Sequence, residues 1–388
     1  VGKPYECAVG RLFREAVPAE RLEVIVPEEV GLHVDGERVH GTPMVSGEYQ
    51  VIVRVCRDDG IWEEGHVALT VNPDPASLWK KLQSNPNGIF AKPDADKAAL
   101  VTPQLTLLAA SLRGRSHAHT GAYREDDFAM EYLPETGWHV MVVSDGAGSA
   151  KYSRRGSEIA CHTAVEVLAK SLRDAWMLNE ALEHVGDGPM TVELETLRRL
   201  SFNVLSPAVY EAQREIRNQA LRMQSQMRDF NATIVIVIAR PVRGVWFFAS
   251  FAVGDGGAAV MEEDGHVLAL MKPDGGEYAG QTLFLTTPQI FADSEKLAKR
   301  VQVGFAAHLK FFAVMTDGVS DPIFPNEASL TTPEGWEDLR QRLKQVMNLR
   351  APAAGMEEAL LEWLNFPSPG NHDDRTIILA LPNGGAAA

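Results

Sequence analysis

From about residue 105 onward, apolar positions come in short runs of strand length and in longer stretches at helical spacing. Runs at 106–112, 127–133, 138–144, 232–239, 245–253, 266–271, 310–316 and 375–381 predict strands. Stretches at 154–173, 191–225, 335–348 and 353–364 predict helices. The strands come in adjacent pairs with long helices between the pairs. That order predicts an α+β sandwich of two antiparallel sheets flanked by helices, and not a parallel βαβ array. The stretch "VELETLRRLSFNVLSPAVYEAQREIRNQALRMQSQMRDF" puts its Leu, Val, Ile and Met residues on a helical stripe, which reads as a core-facing surface.

The first 75 residues carry a different pattern. "RLEVIVPEEV", "GLHVDGERVHG", "GEYQVIVRVCRDDG" and "HVALTVNP" are short alternating runs between Gly, Pro and Asp turns, the signature of a small antiparallel β-sandwich. "GTPMVSGEYQVIVRVCRDDG", followed by "HVALTVNPDP", resembles the immunoglobulin-like domains of bacterial multidomain proteins, which implies a binding or spacing role. Residues 72–104 are rich in Pro, Asn and Asp and read as a connector with one short helix around Ser77–Gln83. The expected organisation is a sandwich over 1–75, a linker over 76–104 and a mixed domain over 105–383.

Composition narrows the function. The chain has 388 residues, 45% of them hydrophobic, enough for two or three globular domains. No apolar run approaches the roughly 18 residues that span a bilayer, and the first residues lack the apolar core of a secretory signal. The chain begins without Met, which leaves a removed leader open. Asp and Glu outnumber Lys and Arg 52 to 37, a formal charge of −15, and no basic run stands out. Such a chain repels nucleic acid, which argues against a nuclease. Cys7, Cys56 and Cys161 form no metal-binding pair and read as free thiols of a cytoplasmic protein, a Cys7–Cys56 disulfide being the alternative.

Candidate chemistry sits at strand ends. "HVMVVSDGAG" ends at Asp145, "FFASFAVGDGG" at Asp255 and "KFFAVMTDGVSD" at Asp317. "NHDDR" puts Asp373 and Asp374 at the start of another strand, and "REDD" puts Glu125, Asp126 and Asp127 at the start of a fifth. A single Asp-Gly after an apolar run is a turn. Five acidic strand ends are a pattern, because antiparallel neighbours bring ends and starts to one rim of a sheet. Carboxylates gathered there repel one another unless a cation lies between them. An oxygen-only donor set favours Mg²⁺ or Mn²⁺.

The segments "SDGAGS" (144–149), "ATIV" (232–235), "VGDGG" (253–257), "MTDGVSD" (315–321) and "DDRT" (373–376) resemble, in order and spacing, the motifs of the protein phosphatase 2C family of metal-dependent Ser/Thr protein phosphatases. "SHAHTGAYREDDF" (116–128) and "GEYAGQTLFLT" (276–286) resemble a bacterial subfamily. The resemblance implies a phosphatase 2C-like fold over residues 106–382. It also implies two Mn²⁺ or Mg²⁺ ions, with a third held more weakly. Asp145 is then the bridging ligand, helped by the carbonyl of Gly146, with Asp317 and Asp373 completing the first site. Asp126 ligates and Glu125 acts through water, while Asp255 joins Asp317 at the weak site. The implied reaction is attack of a metal-activated water on phosphoserine or phosphothreonine, with Asp145 and Asp126 acting through that water.

The sequence departs from the family in two places. Where many members carry a phosphate-binding Arg, this chain has Gly121, so the substrate phosphate falls to His117, His119, Arg124 or Lys151, with His117 first because it matches the subfamily's Ser-His. Where some members carry an acidic His in the Asp-Gly loop, this chain has Ala147, which leaves a metal-bound water to protonate the leaving group. The resemblance implies a phosphoprotein substrate, with a Ser/Thr kinase and a von Willebrand A-type domain protein as companions, and neither nucleic acid nor membrane as a partner. A catalytically weak module that binds phosphoproteins or a kinase is the alternative.

Overall fold

Strand Trp138–Ser144 shows how the pattern becomes layers. Val140 and Val142 point into one core with helix residues, whereas Met141 and Val143 point into a second core between sheets. Ile234, Ile236 and Ile238 alternate with Val235 and Val237 in the same way. Phe311, Ala313 and Met315 face a third core while Phe312 and Val314 face the inner one. A strand buried on both faces has no polar side, which is why these segments read as continuous apolar runs.

The computed structural model describes all residues except 14–16, 75–76, 78, 187–189, 273, 275–281 and 384–388. The chain divides into two units, Val1–Lys80 and Lys81–Ala388. In the second unit a five-stranded antiparallel sheet runs in the order Val301–Ala306, Val245–Val253, Ile234–Val242, Trp138–Ser144, Asp127–Leu133. A six-stranded antiparallel sheet runs Val267–Ala269, Gly257–Glu262, Leu309–Met315, Arg375–Pro382, Leu105–Leu112, Ala95–Val101. Helices Ser153–Arg173 and Met190–Arg222 cover the first sheet. Helices Pro333–Lys344 and Met356–Trp363 cover the second. The result is the expected sandwich of two antiparallel sheets between helical layers.

The first unit is all-β. Strands Tyr5–Ala8, Arg38–Gly41 and Leu32–Asp35 form one small sheet, and Leu22–Ile25, Gly47–Cys56 and Trp62–Val71 form another. Val9, Val24, Val30, Val39 and Val53 are among the residues of its core.

Three differences from the sequence reading matter for the site. Strand Ala95–Val101 lies in the stretch read as a connector and pairs along its length with Leu105–Leu112. Residues 79–83, within the expected short helix, are irregular, and residue 78 lies outside the described residues. A helix, Asp317–Ile323, absent from the sequence reading, starts directly at Asp317. No helix among the described residues is long and apolar enough to cross a membrane.

Candidate metal centre

The loop after strand Trp138–Ser144 is stitched to the start of its neighbour. Ser144 Oγ donates to the Thr233 carbonyl at 2.6 Å, and the Asp145 amide donates to Thr233 Oγ1 at 2.9 Å. The Thr233 amide returns a bond to the Asp145 carbonyl at 2.8 Å, and the Ala147 amide donates to the Asn231 carbonyl at 3.0 Å. Gly146 is required by space. A Cβ there would lie 2.7 Å from the Glu125 carbonyl oxygen, so only glycine lets these two backbones pass. This lattice fixes the direction in which Asp145 projects.

Asp317 leaves strand Leu309–Met315 at the first position of its helix. Asp255 follows strand Val245–Val253 between Gly254 at φ +104° and Gly256 at φ +114°. Carboxylate oxygens of Asp145, Asp255 and Asp317 lie within 4.8 Å of one another. His117, Asp373 and Asp374 form a second group of the same tightness.

The acidic pair closes the arrangement. Asp126 is fully buried; its Oδ2 accepts from Thr316 Oγ1 at 2.7 Å and its Oδ1 has no partner among the described residues. Glu125 Oε2 and Asp255 Oδ1 are buried and unpartnered in the same sense. Asp255 Oδ2 accepts from Thr282 Oγ1 at 2.7 Å.

Electrostatics follow from this crowding. Burial, then the charges of Asp317, Asp126 and Asp373, push the Asp145 carboxyl well above its ordinary range. Burial followed by Asp255, Asp373 and Asp126 does the same to Asp317. Burial and the charge of Asp374 raise Asp126 to about 7, and burial raises Glu125 to about 7. Asp373 is raised by burial and by Asp374. Converging carboxylates with unpartnered buried oxygens hold protons at neutral pH or hold a hard cation, and the donor set fits Mg²⁺ or Mn²⁺.

Asp374 behaves in the opposite way. Although burial disfavours its charge, bonds from His117 and from the Gly114 and Glu125 amides keep its carboxyl below the usual value. The Gly114 amide donates to Oδ1 at 2.6 Å, the Glu125 amide to Oδ2, and the Asp126 amide to Oδ2 at 3.3 Å. Asp374 thus ties the 114–126 segment to the start of strand Arg375–Pro382. His117 Nδ1 lies 2.9 Å from Asp374 Oδ1, and its Nε2 lies 3.7 Å from Glu125 Oε2. Burial opposes the imidazolium, but Asp374, Glu125 and Asp373 outweigh it and raise His117 to about 9.

Of the residues singled out from sequence, Asp145, Asp255 and Asp317 converge. Asp373 and Asp126 enter the same electrostatic cluster, Gly146 packs on the Glu125 main chain, and His117 faces Glu125. Arg124 is not brought to the mouth. It is buried, donating to Ser111 Oγ at 2.6 Å and to the Asp126 and Pro93 carbonyls at 2.9 and 3.1 Å. Its guanidinium is spent inside the fold, which corrects its candidacy as a phosphate ligand. Lys151 is exposed, its Nζ 4.9 Å from the centre of the Tyr152 ring, and no described contact joins it to the carboxylates. Residues 276–281 of the "GEYAGQTLFLT" motif lie outside the described residues.

Sequence reasoning passed over two residues. Asp321, one helical turn after Asp317, is raised by burial and by the charge of Asp255; its i+4 spacing was the available signal. Arg115, two residues before His117, lines a small cavity with His372, Asp373 and Arg375. Its position in "RGRSH" was the only hint.

No curated protein matches the chain. Solved structures that the chain is similar to include a serine-threonine phosphatase 2C from Toxoplasma gondii, 16% identical, covering 75% of this chain and 100% of that one at a TM-score of 0.43. Another is the Mycobacterium tuberculosis serine/threonine phosphatase PstP/Ppp, 15% identical, covering 72% and 99% at 0.37. The phosphatase domain of the cell fate determinant SpoIIE from Bacillus subtilis is 12% identical, covering 76% and 95% at 0.34. The sequence model of the protein phosphatase 2C family, whose members are metal-dependent Ser/Thr phosphatases, matches residues 113–365, and the chain belongs to that family.

Proposed function

We propose that this chain is an active phosphatase that hydrolyses phosphoserine and phosphothreonine in proteins. The observation that carries the reading is the convergence of Asp145, Asp255 and Asp317, with the charge of Asp126 bearing on Asp145 and Asp317 and its buried Oδ1 without a partner among the described residues. In this reading Asp145, Asp126, Asp317 and Asp373, with the Gly146 carbonyl, hold two ions. Asp255 and Asp317 hold a weaker third, and Glu125 acts through water. When bound, such ions supply a nucleophilic water at neutral pH and spread the charge of the phosphoryl oxygens.

The chain's own groups do the positioning. Thr316 fixes one oxygen of Asp126 and leaves the other for the site. The Thr233 bonds hold the Asp145 main chain, so its carboxylate does not need to reorganise as charge develops. His117 is charged at neutral pH and held by Asp374, which suits it to meet the substrate phosphate where Gly121 replaces the usual Arg. Ala147 offers no acid, so the leaving group takes its proton from water. The immunoglobulin-like unit serves as a spacer or binding module. A Ser/Thr kinase that installs the phosphate and a von Willebrand A-type domain protein are the companions that this reading suggests, in a cytoplasmic bacterial signalling setting.

The test is hydrolysis of p-nitrophenyl phosphate and a phosphothreonine peptide, with Mn²⁺ or Mg²⁺ and with chelator. Metal-stimulated turnover that Asp145→Asn abolishes, with the fold retained by circular dichroism, is the expected outcome. Turnover indifferent to metal, or a near-normal Asp145→Asn enzyme, sinks the reading. A folded chain that binds phosphopeptide without turnover returns the non-catalytic module.

A further inference from the structure

The segment between the first unit and strand Leu105–Leu112 is bound closely to the acidic-pair loop. The Leu82 amide donates to the Ala118 carbonyl at 2.9 Å, and Arg113 donates to the Leu82 and Ala122 carbonyls at 2.9 and 3.0 Å. Tyr123 Oη donates to the Asn85 carbonyl at 2.7 Å, and Arg154 donates to the Phe90 and Ile89 carbonyls at 2.9 and 2.7 Å. At the centre lies Lys92. Its side chain is 9% exposed, its Nζ is 2.8 Å from Asp127 Oδ2, and it donates to the Asp126 carbonyl at 2.7 Å. Longer contacts reach the Arg154 carbonyl at 3.3 Å and Ser157 Oγ at 3.4 Å.

We propose that Lys92 is a positioning residue for the metal centre, which aims the Asp126 carboxylate by holding that residue's main chain from behind. The proposal rests on the reading of Asp126 as a ligand. Both carbonyls of the acidic pair are held: Ser157 Oγ donates to that of Glu125, while Lys92 and Arg124 donate to that of Asp126. The Asp126 carboxylate accepts from the Thr316 hydroxyl through Oδ2, and its Oδ1 has no partner among the described residues. With one oxygen tethered and the backbone fixed, the carboxylate keeps little freedom to turn.

Energetics favour a geometric role over a stabilising one. A buried ion pair loses in desolvation most of what it gains in attraction, and apolar replacements of similar volume are often no less stable. A methionine at position 92 would fill the space without donating a hydrogen bond. What Lys92 supplies that an apolar side chain cannot is a donor to Asp126 with a counter-charge to keep it there. Partners behind the ligands that are lost in this way typically cost about 10–100-fold in metal affinity.

The experiment uses the full chain and the double variant Lys92→Met/Asp127→Asn, which removes both buried charges together at nearly constant volume. Mn²⁺ affinity is measured by titration calorimetry, and metal-free thermal unfolding in parallel. The expected result is Mn²⁺ binding weakened by about tenfold or more with metal-free unfolding close to that of the unaltered chain. Asp127→Asn alone, which keeps the lysine donor, is expected to bind Mn²⁺ within about threefold of the unaltered chain. Mn²⁺ affinity within about twofold in the double variant overturns the proposal. If that variant does not fold, Lys92→Leu/Asp127→Asn is read in the same way. Failure of both to fold makes Lys92 a fold determinant and likewise overturns it. An unaltered chain that binds no Mn²⁺ removes instead the reading of Asp126 as a ligand.

Discussion

Two histidines show how differently this fold treats one side chain. His117 is held charged by Asp374 and faces Glu125. If it receives the substrate phosphate, His117→Gln should raise KM for a phosphothreonine peptide by about tenfold and disturb kcat less, as loss of one charged contact does. An unchanged KM would move the phosphate contact elsewhere, with Arg115 the next residue to test. His139 is fully buried, with Nε2 2.9 Å from Thr102 Oγ1 and ring neighbours Tyr132 and Trp246. Burial, against opposing backbone hydrogen bonds to Ala239 and Gly137, pushes it down to about 4. The folded chain therefore refuses a proton that the unfolded chain accepts near 6.5. Its contribution to stability is whole above pH 6.5 and is lost as pH falls toward 4, by about 3 kcal/mol. Unfolding midpoints across that window should fall less steeply in His139→Gln. At this scale the carboxylates were legible because each follows or precedes a strand. Arg124 misled, since its place beside the acidic pair says nothing about which way the side chain turns.

Strands buried on both faces, such as Trp138–Ser144 and Ile234–Val242, announce themselves as unbroken apolar runs, and the long helices by their stripes. The elements that escaped have reasons. Ala95–Val101 is an edge strand built from "ADKAALV", with small and charged residues of low strand preference, and pairing on one side alone makes it a strand. Arg115–Thr120 is too short to show a helical period, and Asp317–Ile323 carries an internal proline. The first of these sets a practical boundary. A chain starting at residue 81 keeps Lys92, strand Ala95–Val101 and every candidate ligand, and should retain metal-dependent hydrolysis of p-nitrophenyl phosphate within about threefold. A chain starting at residue 105 should be insoluble or inactive, because it exposes the edge of Leu105–Leu112 and empties the space behind Asp126. Equal activity from both would show that the segment contributes nothing.

Over the whole molecule, the order of motifs carried both fold class and family, since a sandwich of this kind needs its acidic strand ends at one rim. What the order could not carry is the cost of that rim. Without a cation, Glu125 and Asp126 titrate near 7 in the folded chain against ordinary values near 4, so folding retains protons that the unfolded chain releases. That contribution to stability is present at low pH and is lost as pH rises from about 4 to 7. Metal competes with those protons and binds the folded state alone. Chelation should therefore lower the unfolding temperature more at pH 7.5 than at pH 5.5. His139 acts in the same way with and without metal, so it cancels in that difference. A chelator effect independent of pH would place the metal away from these carboxylates.

The four donors gathered on Asp374 also bear on how this site can vary by descent. An asparagine there has one acceptor oxygen and turns its amide hydrogens toward donors that already occupy the position. The Glu125 and Asp126 amides and His117 would compete for a single oxygen. Changing Asp374 alone leaves the charged His117 and the acidic-pair amides short of an acceptor. Among related sequences the two should therefore be inherited together: histidine with aspartate, and the asparagine form with another residue at position 117.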